Sequence, residues 1–406
     1  MSIFGSMSYY KNTALPLFST LLLGIGLSGC SSLNTTTGDD SIEGSTVVSA
    51  DAPVITTTDQ ADVEQFTDDI TIEEWTLLAE AGDPEAQFHV GSFHEHGEGV
   101  DADDVVAFDW YRKSAEQGHA PAQNSLGMMY FEGRGTGIDR DSATEWFDRA
   151  ARQGHAAAEN HLGMMYLVGS GCQADEKEAA RWFERSASKG NADAQEMMGT
   201  LCYEGRGVEK NDEQSAHWFG MAAEQGDASA QASLALMYYD GVGVSQDHDA
   251  AAEWLFRSSD NGCAEADFML GWMYLEGIAF DQDVTLAATL IGNAADAGTP
   301  IAQATFGMMC HEGLGTEQNF EQAARYLQLA ADQGVASAQN NLALMYIKGE
   351  GVPQDVELAT MWLKTAADQG LAIAAERLQM MQGPVGSDEE TSSSIASFEF
   401  DDTDTP

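Results

Sequence analysis

Residues 115–150 read AEQGHAPAQNSLGMMYFEGRGTGIDRDSATEWFDRA, and this 36-residue pattern decides the fold of the chain. It recurs eight times in succession without an insertion, and half of it follows once more. Repeats of this length and regularity are typical of solenoids, in which each unit is stable only against its neighbours. The full repeats cover 79–114, 115–150, 151–186, 187–222, 223–258, 259–294, 295–330 and 331–366, and the half-repeat covers 367–382.

Glycines and capping residues predict two helices in every repeat, with positions counted from 1 to 36. Position 4 is Gly from Gly82 to Gly370, and position 19 is Gly from Gly97 to Gly349. Gly after an apolar, periodic run is the usual left-handed end of a helix. Position 25 is Asp or Asn in every full repeat, which favours an N-cap there. We therefore expect helix A at positions 6–18, helix B at positions 26–36, and an all-α fold.

Small and large residues alternate between the two helices of a repeat. Position 8 is always Ala, and position 13 is Gly or Ala. Position 32 is aromatic in seven of eight repeats and holds six of the eight tryptophans. Because small side chains let helices approach closely, we expect the aromatic side chain at position 32 to pack against position 13. These tryptophans are then structural and need no cofactor to explain them.

The chain is strongly acidic along its whole length. Its 406 residues include 66 Asp and Glu against 18 Lys and Arg, a formal net charge of −48. This composition excludes nucleic acid as a partner and disfavours docking of the protein surface on anionic lipid. Yet 43% of the residues are hydrophobic, which is typical of a folded core. One hypothesis is that the acidic surface is adapted to a salty medium, where screening relieves its self-repulsion.

The first 30 residues predict an export signal. Lys11 is the single charge before an apolar run at 15–27, which is too short for a comfortable transmembrane helix. Leu27-Ser28-Gly29-Cys30 resembles the lipobox of bacterial lipoproteins. The resemblance implies a signal peptide at 1–29, acylation of Cys30 and, because Ser31 follows, an outer-membrane location facing the periplasm. The alternatives are an ordinary secretory signal with a chance cysteine and an apolar N-terminal anchor.

Two polar segments flank the repeats. Residues 30–70 are rich in Ser, Thr, Asp and Gly, with no Lys or Arg, and we expect a flexible tether there. Residues 383–406 have a similar composition, and we expect a disordered acidic tail. The repeat solenoid is then the domain 71–382.

The repeat resembles the Sel-one-like repeat (SLR), a relative of the tetratricopeptide repeat. Its pattern is A-Q-x-x-L-G-x-M-Y-x-x-G-x-G-V, followed after a spacer by A-x-x-W-F-x-x-A-A-x-Q-G. The second repeat shows Ala122-Gln123, Leu126-Gly127, Met129-Tyr130 and Trp146-Phe147 at the matching places. The resemblance implies a right-handed α/α superhelix and a role as interaction scaffold or adaptor, often in bacterial envelopes.

Alignment with the tetratricopeptide core implies that positions 10, 14 and 17 of helix A point into a concave groove. Met and aromatic side chains there suit the binding of a peptide segment, and the acidic field suits a neutral or basic protein ligand. The alternative is that these positions only fill contacts between helices. The predicted groove residues are Phe88, Met128, Phe131, Met164, Leu167, Tyr203, Leu236, Tyr239, Phe268, Trp272, Leu275, Met308, Leu344 and Ile347.

No catalytic pattern stands out. There is no P-loop, dinucleotide fingerprint or nucleophile elbow, and we expect no cofactor. His89 and His96 lie seven residues apart, but both are better explained as structural than as metal ligands. The sequence therefore favours a non-enzymatic, lipid-anchored scaffold. The alternatives are a periplasmic regulator of a sensor or secretion system and, less favoured, an envelope hydrolase acting on cell-wall or β-lactam substrates.

Four cysteines remain after Cys30. Cys172 and Cys202 fall in adjacent repeats, as do Cys263 and Cys310. An exported chain meets an oxidising compartment, so a disulfide between Cys172 and Cys202 is one possibility. Buried free thiols are the other.

Overall fold

The computed structural model describes residues 71–382. The predicted signal peptide, the lipidation site at Cys30, the tether and the acidic tail lie outside these residues. Within the part described, no helix has the length and apolar character needed to cross a membrane.

The described residues form eighteen α-helices and no strand. Helix A of the first repeat covers Pro84–His96 and helix B covers Asp104–Glu116, so both start where the pattern predicts and helix B runs on toward the next glycine. The helices are α1 (Ile72–Glu80), α2 (Pro84–His96), α3 (Asp104–Glu116), α4 (Ala120–Glu132), α5 (Arg140–Arg152), α6 (Ala156–Val168), α7 (Glu176–Ala187), α8 (Ala192–Glu204), α9 (Asp212–Glu224), α10 (Ala228–Asp240), α11 (His248–Asp260), α12 (Ala264–Glu276), α13 (Val284–Asp296), α14 (Pro300–Glu312), α15 (Phe320–Asp332), α16 (Ala336–Lys348), α17 (Val356–Asp368) and α18 (Ala372–Gln382).

Caps hold the helix ends where the sequence predicts them. Each position-25 Asp or Asn accepts hydrogen bonds from backbone N–H groups in the first turn of helix B. Asp103, for example, bonds to the N–H groups of Val105 and Val106. Helix A ends at a left-handed Gly, such as Gly133 with φ 78°. The predicted division into two helices per repeat is confirmed.

The described residues form two compact units. The N-terminal unit holds 71–230 with 242–244, and the C-terminal unit holds 231–241 with 245–382. In the N-terminal unit, α1 to α9 pack consecutively, and in the C-terminal unit α11 to α18 do so. In each unit the core forms between neighbouring helices. This arrangement is an all-α helical repeat solenoid.

The expected partner of position 13 is wrong by one residue. The side chain that meets it is at position 33, because a Cβ on Gly163 would lie 2.8 Å from Cε1 of Phe183. Gly127 and Phe147 make the same contact. The position-32 tryptophans are mostly half-buried beside this contact, as Trp182 is. One helical residue turns the side chain by about 100°, so the ring that fills the interhelical space and the ring beside it are sequence neighbours.

Candidate partner-binding face

The predicted groove residues are all buried or half-buried. Seven are buried, which fits the alternative interpretation that these positions fill contacts between helices. The other seven keep part of their surface accessible. The buried residues are Met128, Phe131, Leu236, Phe268, Trp272, Leu275 and Ile347. The half-buried residues are Phe88, Met164, Leu167, Tyr203, Tyr239, Met308 and Leu344. We call these fourteen residues the helix A stripe.

In the N-terminal unit, cations border the stripe. Met164 and Leu167 of α6 pack on the core around Phe183. The Lys210 ammonium lies 4.7 Å from the centroid of the Tyr203 ring. The Arg140 guanidinium lies 4.6 Å from the centroid of a second stripe ring, that of Phe131. Since a cation over an aromatic face is attracted to it, these side chains cover part of the apolar surface.

In the C-terminal unit, three of the eight stripe residues are aromatic. Trp272 is buried, and its indole N–H has no hydrogen-bond partner within the described part of the chain. The Tyr239 ring lies 5.0 Å from the His248 imidazole, centroid to centroid. Burial, with Asp240 and Glu276 nearby, raises the pKa of the Tyr239 phenol. Tyr239, which is half-buried, therefore keeps a neutral phenol in the stripe, while the Trp272 indole is enclosed.

A buried histidine lies in α6, the helix that carries Met164 and Leu167 of the stripe. His161, only 4% exposed, places Nδ1 2.9 Å from Oδ1 of Asn124 in the preceding helix A. Its ring lies 4.9 Å from that of Phe147. Burial lowers the pKa of His161 to about 3, so the imidazole is neutral at any ordinary pH. Asn124 is at position 10, and the imidazole satisfies its carbonyl inside the protein.

A carboxyl group stands at position 10 of α8. Burial, together with the nearby Asp227 and Asp193 carboxylates, raises the pKa of Glu196 to about 8. Ser229 donates a short hydrogen bond to Glu196 Oε1. The pKa of Asp227 is also raised by burial. Of the position-10 residues, Phe88 and Phe268 were predicted to line the groove and this carboxyl group was missed, although Glu in a line of Phe, Asn and Ala was the available signal.

A ladder of side-chain amides joins successive repeats, and sequence reasoning missed its role. Gln123 at position 9 donates from Nε2 to the carbonyl of Ala115 at 3.0 Å and accepts from Gln153 at 2.7 Å. Both contacts are buried or partly buried, so each rung satisfies polar groups that water does not reach. Rungs of this kind form at Gln87–Gln117, Gln123–Gln153, Gln195–Gln225, Gln231–Asn261, Gln303–Gln333 and Gln339–Gln369. The recurrence of Gln thirty residues apart was the signal.

One rung is ionic. Glu159 replaces Gln at position 9 and is completely buried, while Lys189 replaces the partner amide. Lys189 Nζ and Arg185 Nη2 each lie 2.6 Å from a Glu159 carboxylate oxygen. Glu159 and Lys189 thus occupy the positions of the two amides in the other rungs. Each oxygen of the carboxylate forms an ion pair with one cation. A buried charge held this way is costly to unpair.

The histidines and cysteines of 71–382 form no metal-binding cluster. No group of three or more His, Cys, Asp and Glu side chains in 71–382 is placed to hold a metal ion. Cys172 and Cys202 are free thiols, so the possible disulfide between them is not formed in the structure. Burial raises the pKa of both thiols. In the structure this pair matches the other possibility, that of buried or partly buried free thiols.

Comparisons with known proteins place this architecture. The family model described as Sel1 repeat matches eight consecutive segments, and each begins at the first residue of a helix A. No curated protein matches the chain significantly. The matched segments are 84–119, 120–155, 156–191, 192–227, 228–263, 264–299, 300–335 and 336–371.

Two solved structures are similar over most of the chain. A protective antigen of uropathogenic Escherichia coli strains, with an SLR fold, is 33% identical with a TM-score of 0.69. The match covers 80% of this chain and 70% of that one. A Sel1 repeat protein from Oxalobacter formigenes is 32% identical with a TM-score of 0.59, covering 76% of this chain and 90% of that one.

The fold and its helix A face define the class of the protein as an α-helical repeat protein. More particularly, the chain belongs to the Sel1 repeat family, because the family model covers eight contiguous repeats. Proteins with this repeat generally serve as scaffolds for protein–protein interaction and are generally non-enzymatic.

Proposed function

We propose that the protein is a non-enzymatic scaffold that binds a segment of a partner protein along the helix A stripe. The observation that carries the proposal is the stripe itself. The same three positions of successive helices A leave apolar surface partly accessible, as at Leu167 and Tyr203 in one unit and Met308 in the other. Partly accessible Met and aromatic side chains suit adaptable peptide recognition.

The partner segment is neutral or basic. The described part of the N-terminal unit, 71–230, holds 30 acidic and 12 basic residues, and 231–382 holds 20 acidic and 5 basic residues. A like-charged partner would be repelled, whereas a basic partner would be attracted. This asymmetry favours Lys- or Arg-containing segments with apolar anchors.

The scaffold is held at the bacterial envelope by lipid on Cys30. The lipobox-like Leu27-Ser28-Gly29-Cys30 supports acylation, and the polar segment 31–70 would let the repeats reach away from the membrane. Ser31 supports outer-membrane sorting toward the periplasm. A similar protein described as a protective antigen of uropathogenic Escherichia coli is in keeping with an envelope location.

A pull-down from cross-linked native envelopes tests the proposed function. The wild-type chain is compared with Leu167→Glu and Tyr239→Glu, and with Thr289→Glu on exposed helix B position 31 as the matched charge control. We expect a specific protein to be recovered with the wild type and the control and to be depleted with both stripe variants. Equal recovery with all four proteins would refute binding by the stripe. Loss of membrane association in Cys30→Ala tests the anchor separately.

A further inference from the structure

Three aromatic side chains lie together on the surface of the C-terminal unit. The Tyr274 ring of α12 stacks on the Phe280 ring, with centroids 4.5 Å apart and an interplanar angle of 15°. The Phe256 ring of α11 meets Phe280 edge-on at 5.8 Å and 64°. Phe256 is 42% exposed, although its helix B position 34 is Arg, Asp, Glu, Gly, Gln or Lys in the other full repeats. We call these three residues the aromatic patch.

The loop that carries Phe280 is strained. Ala279 has φ 63° and is the single non-glycine residue with a positive φ in the described chain. The other seven full repeats have Gly at this position. In six of them, such as Gly243, an added Cβ would overlap a backbone carbonyl of the preceding repeat. A left-handed conformation costs a residue with a Cβ about 1–2 kcal/mol, and strain of this kind marks functional segments in folded proteins.

The patch lies in a stretch with almost no cations. Residues 211–324 hold 18 acidic residues and a single basic one, Arg257. The Arg257 guanidinium is already engaged, since it pairs with Glu253 at 2.6 Å and lies 4.6 Å from the centroid of Trp254. In the chain that the structure describes, no Lys or Arg lies over Phe256, Phe280 or Tyr274.

Elsewhere the protein supplies such rings with its own cations. Lys113 Nζ lies 3.7 Å from the Trp110 centroid. Arg149 and Arg185 likewise lie over half-buried tryptophans, at 4.3 Å and 4.4 Å. A cation within about 6 Å of a ring face is attracted by roughly 0.5–2 kcal/mol. The aromatic patch has rings, and acidic residues on the segments that carry them, but no cation over its rings among the described residues.

We propose that the aromatic patch docks a cationic segment of a partner protein, with an Arg or Lys of the partner over the Phe256 ring. The exposed carboxylates of Asp249, Asp281 and Asp283 are carried by the same elements and supply the charge complementarity. The patch consists of different residues from the helix A stripe. It is therefore a second interaction surface, and its failure would leave the proposed function of the stripe untouched.

Selection from a phage library of random dodecapeptides tests the proposal. The full chain is the target, in about 0.5 M NaCl, where the Debye length falls to about 4 Å and non-specific attraction to the acidic surface is suppressed. Selected peptides are synthesised with a fluorescent label, and their Kd is measured by anisotropy. The variants are Phe256→Gln, Phe256→Tyr and, as control, Leu329→Gln, whose side chain is 40% exposed on another helix B.

We expect selected peptides to contain Lys or Arg with an apolar residue. Their affinity should fall about tenfold for Phe256→Gln and stay within about twofold for Phe256→Tyr and Leu329→Gln, where tenfold corresponds to about 1.4 kcal/mol. Thermal melts check that Phe256→Gln is folded, and Asp281→Asn measures the patch's charge without altering its rings. Selected peptides without excess positive charge would overturn the proposal. The proposal would also be overturned by peptides whose Kd is the same for Phe256→Gln and the wild type. A basic peptide whose Kd changes with neither Phe256→Gln nor Asp281→Asn would have the same meaning.

Discussion

Replacing Gly163 with Ala tests the contact that sets the distance between helices A and B. The new Cβ would lie 2.8, 2.9 and 3.0 Å from three ring carbons of Phe183. Overpacking a core in this way costs about 1–3 kcal/mol, while Ala in place of Gly in a helix contributes about 1 kcal/mol. We therefore expect Gly163→Ala to lower the free energy of unfolding by up to about 2 kcal/mol.

The protein itself indicates how the clash is relieved. Two repeats have Ala at position 13, and both have Leu at position 33, as in Ala235 with Leu255. We expect Phe183→Leu alone to cost about 1–2 kcal/mol through lost packing. In the double variant the two changes should compensate, so that its destabilisation is smaller than the sum of the single ones by about 1 kcal/mol or more.

Urea unfolding followed by far-UV circular dichroism, at constant salt, measures all three variants. Gly220→Ala is the matched control, because Gly220 lies inside helix α9 with no neighbouring atom within 4 Å of an added Cβ. It should be neutral or stabilise by up to about 1 kcal/mol. If Gly163→Ala behaves like this control, or if the double variant is additive, the packing rule is wrong.

Three further predictions concern the ionic rung, the buried histidine and the surface charge. Lys189→Gln should destabilise by about 1.5–3 kcal/mol because it removes one of the two cations paired with buried Glu159 and leaves Arg185 alone. Glu159→Gln combined with Lys189→Gln should recover most of this loss by restoring an amide rung, and a double variant no better than Lys189→Gln in urea unfolding would contradict it. The pKa of His161 is about 3 in the folded state and about 6.5 when unfolded. As the pH is lowered below about 6.5, the unfolded state takes up a proton before the folded state does, and the free energy of unfolding therefore decreases. By pH 5 this effect reaches about 2 kcal/mol; the difference between wild type and His161→Gln in melts from pH 7 to pH 5 should change by that amount, and a constant difference would show that the imidazole is not buried neutral. Raising NaCl from low to molar concentration should raise the melting temperature, because the acidic surface repels itself, and a flat or falling melting temperature would count against salt adaptation.

The helices were predictable because their signals are local. Gly133 ends a helix through its own backbone conformation, and Asp103 begins one through hydrogen bonds to residues two and three places along the chain. Each of these signals recurs at the same position in eight repeats, so the sequence alone established where the helices of each repeat begin and end. The same regularity carried the resemblance to the Sel1 repeat.

The contacts between helices were harder to predict, because they depend on the direction in which each side chain points. The pattern assigned the interhelical ring to position 32, whereas Phe183 at position 33 fills the space and Trp182 lies beside it. Two adjacent aromatic residues cannot be told apart by periodicity alone. The amide ladder was missed for a similar reason, since Gln123 and Gln153 are thirty residues apart and either one alone resembles a surface residue.

The helix A stripe was predicted as a line of residues but not as a surface. Its positions came from alignment with a related fold, and that alignment does not tell how much of each side chain neighbouring helices cover. Trp272 and Leu275 are buried, while Leu167 and Tyr203 are half-buried at equivalent or neighbouring positions.

Site-specific photo-crosslinking tests the central claim that the helix A stripe binds a partner protein. A photoreactive phenylalanine analogue replaces Leu167 or Tyr203 in the stripe, or Arg181 or Thr289 on the exposed face of helix B. After irradiation of native envelopes, we expect one protein to be crosslinked from both stripe positions and from neither helix B position. Crosslinks of equal yield from all four positions, or from helix B alone, would contradict it.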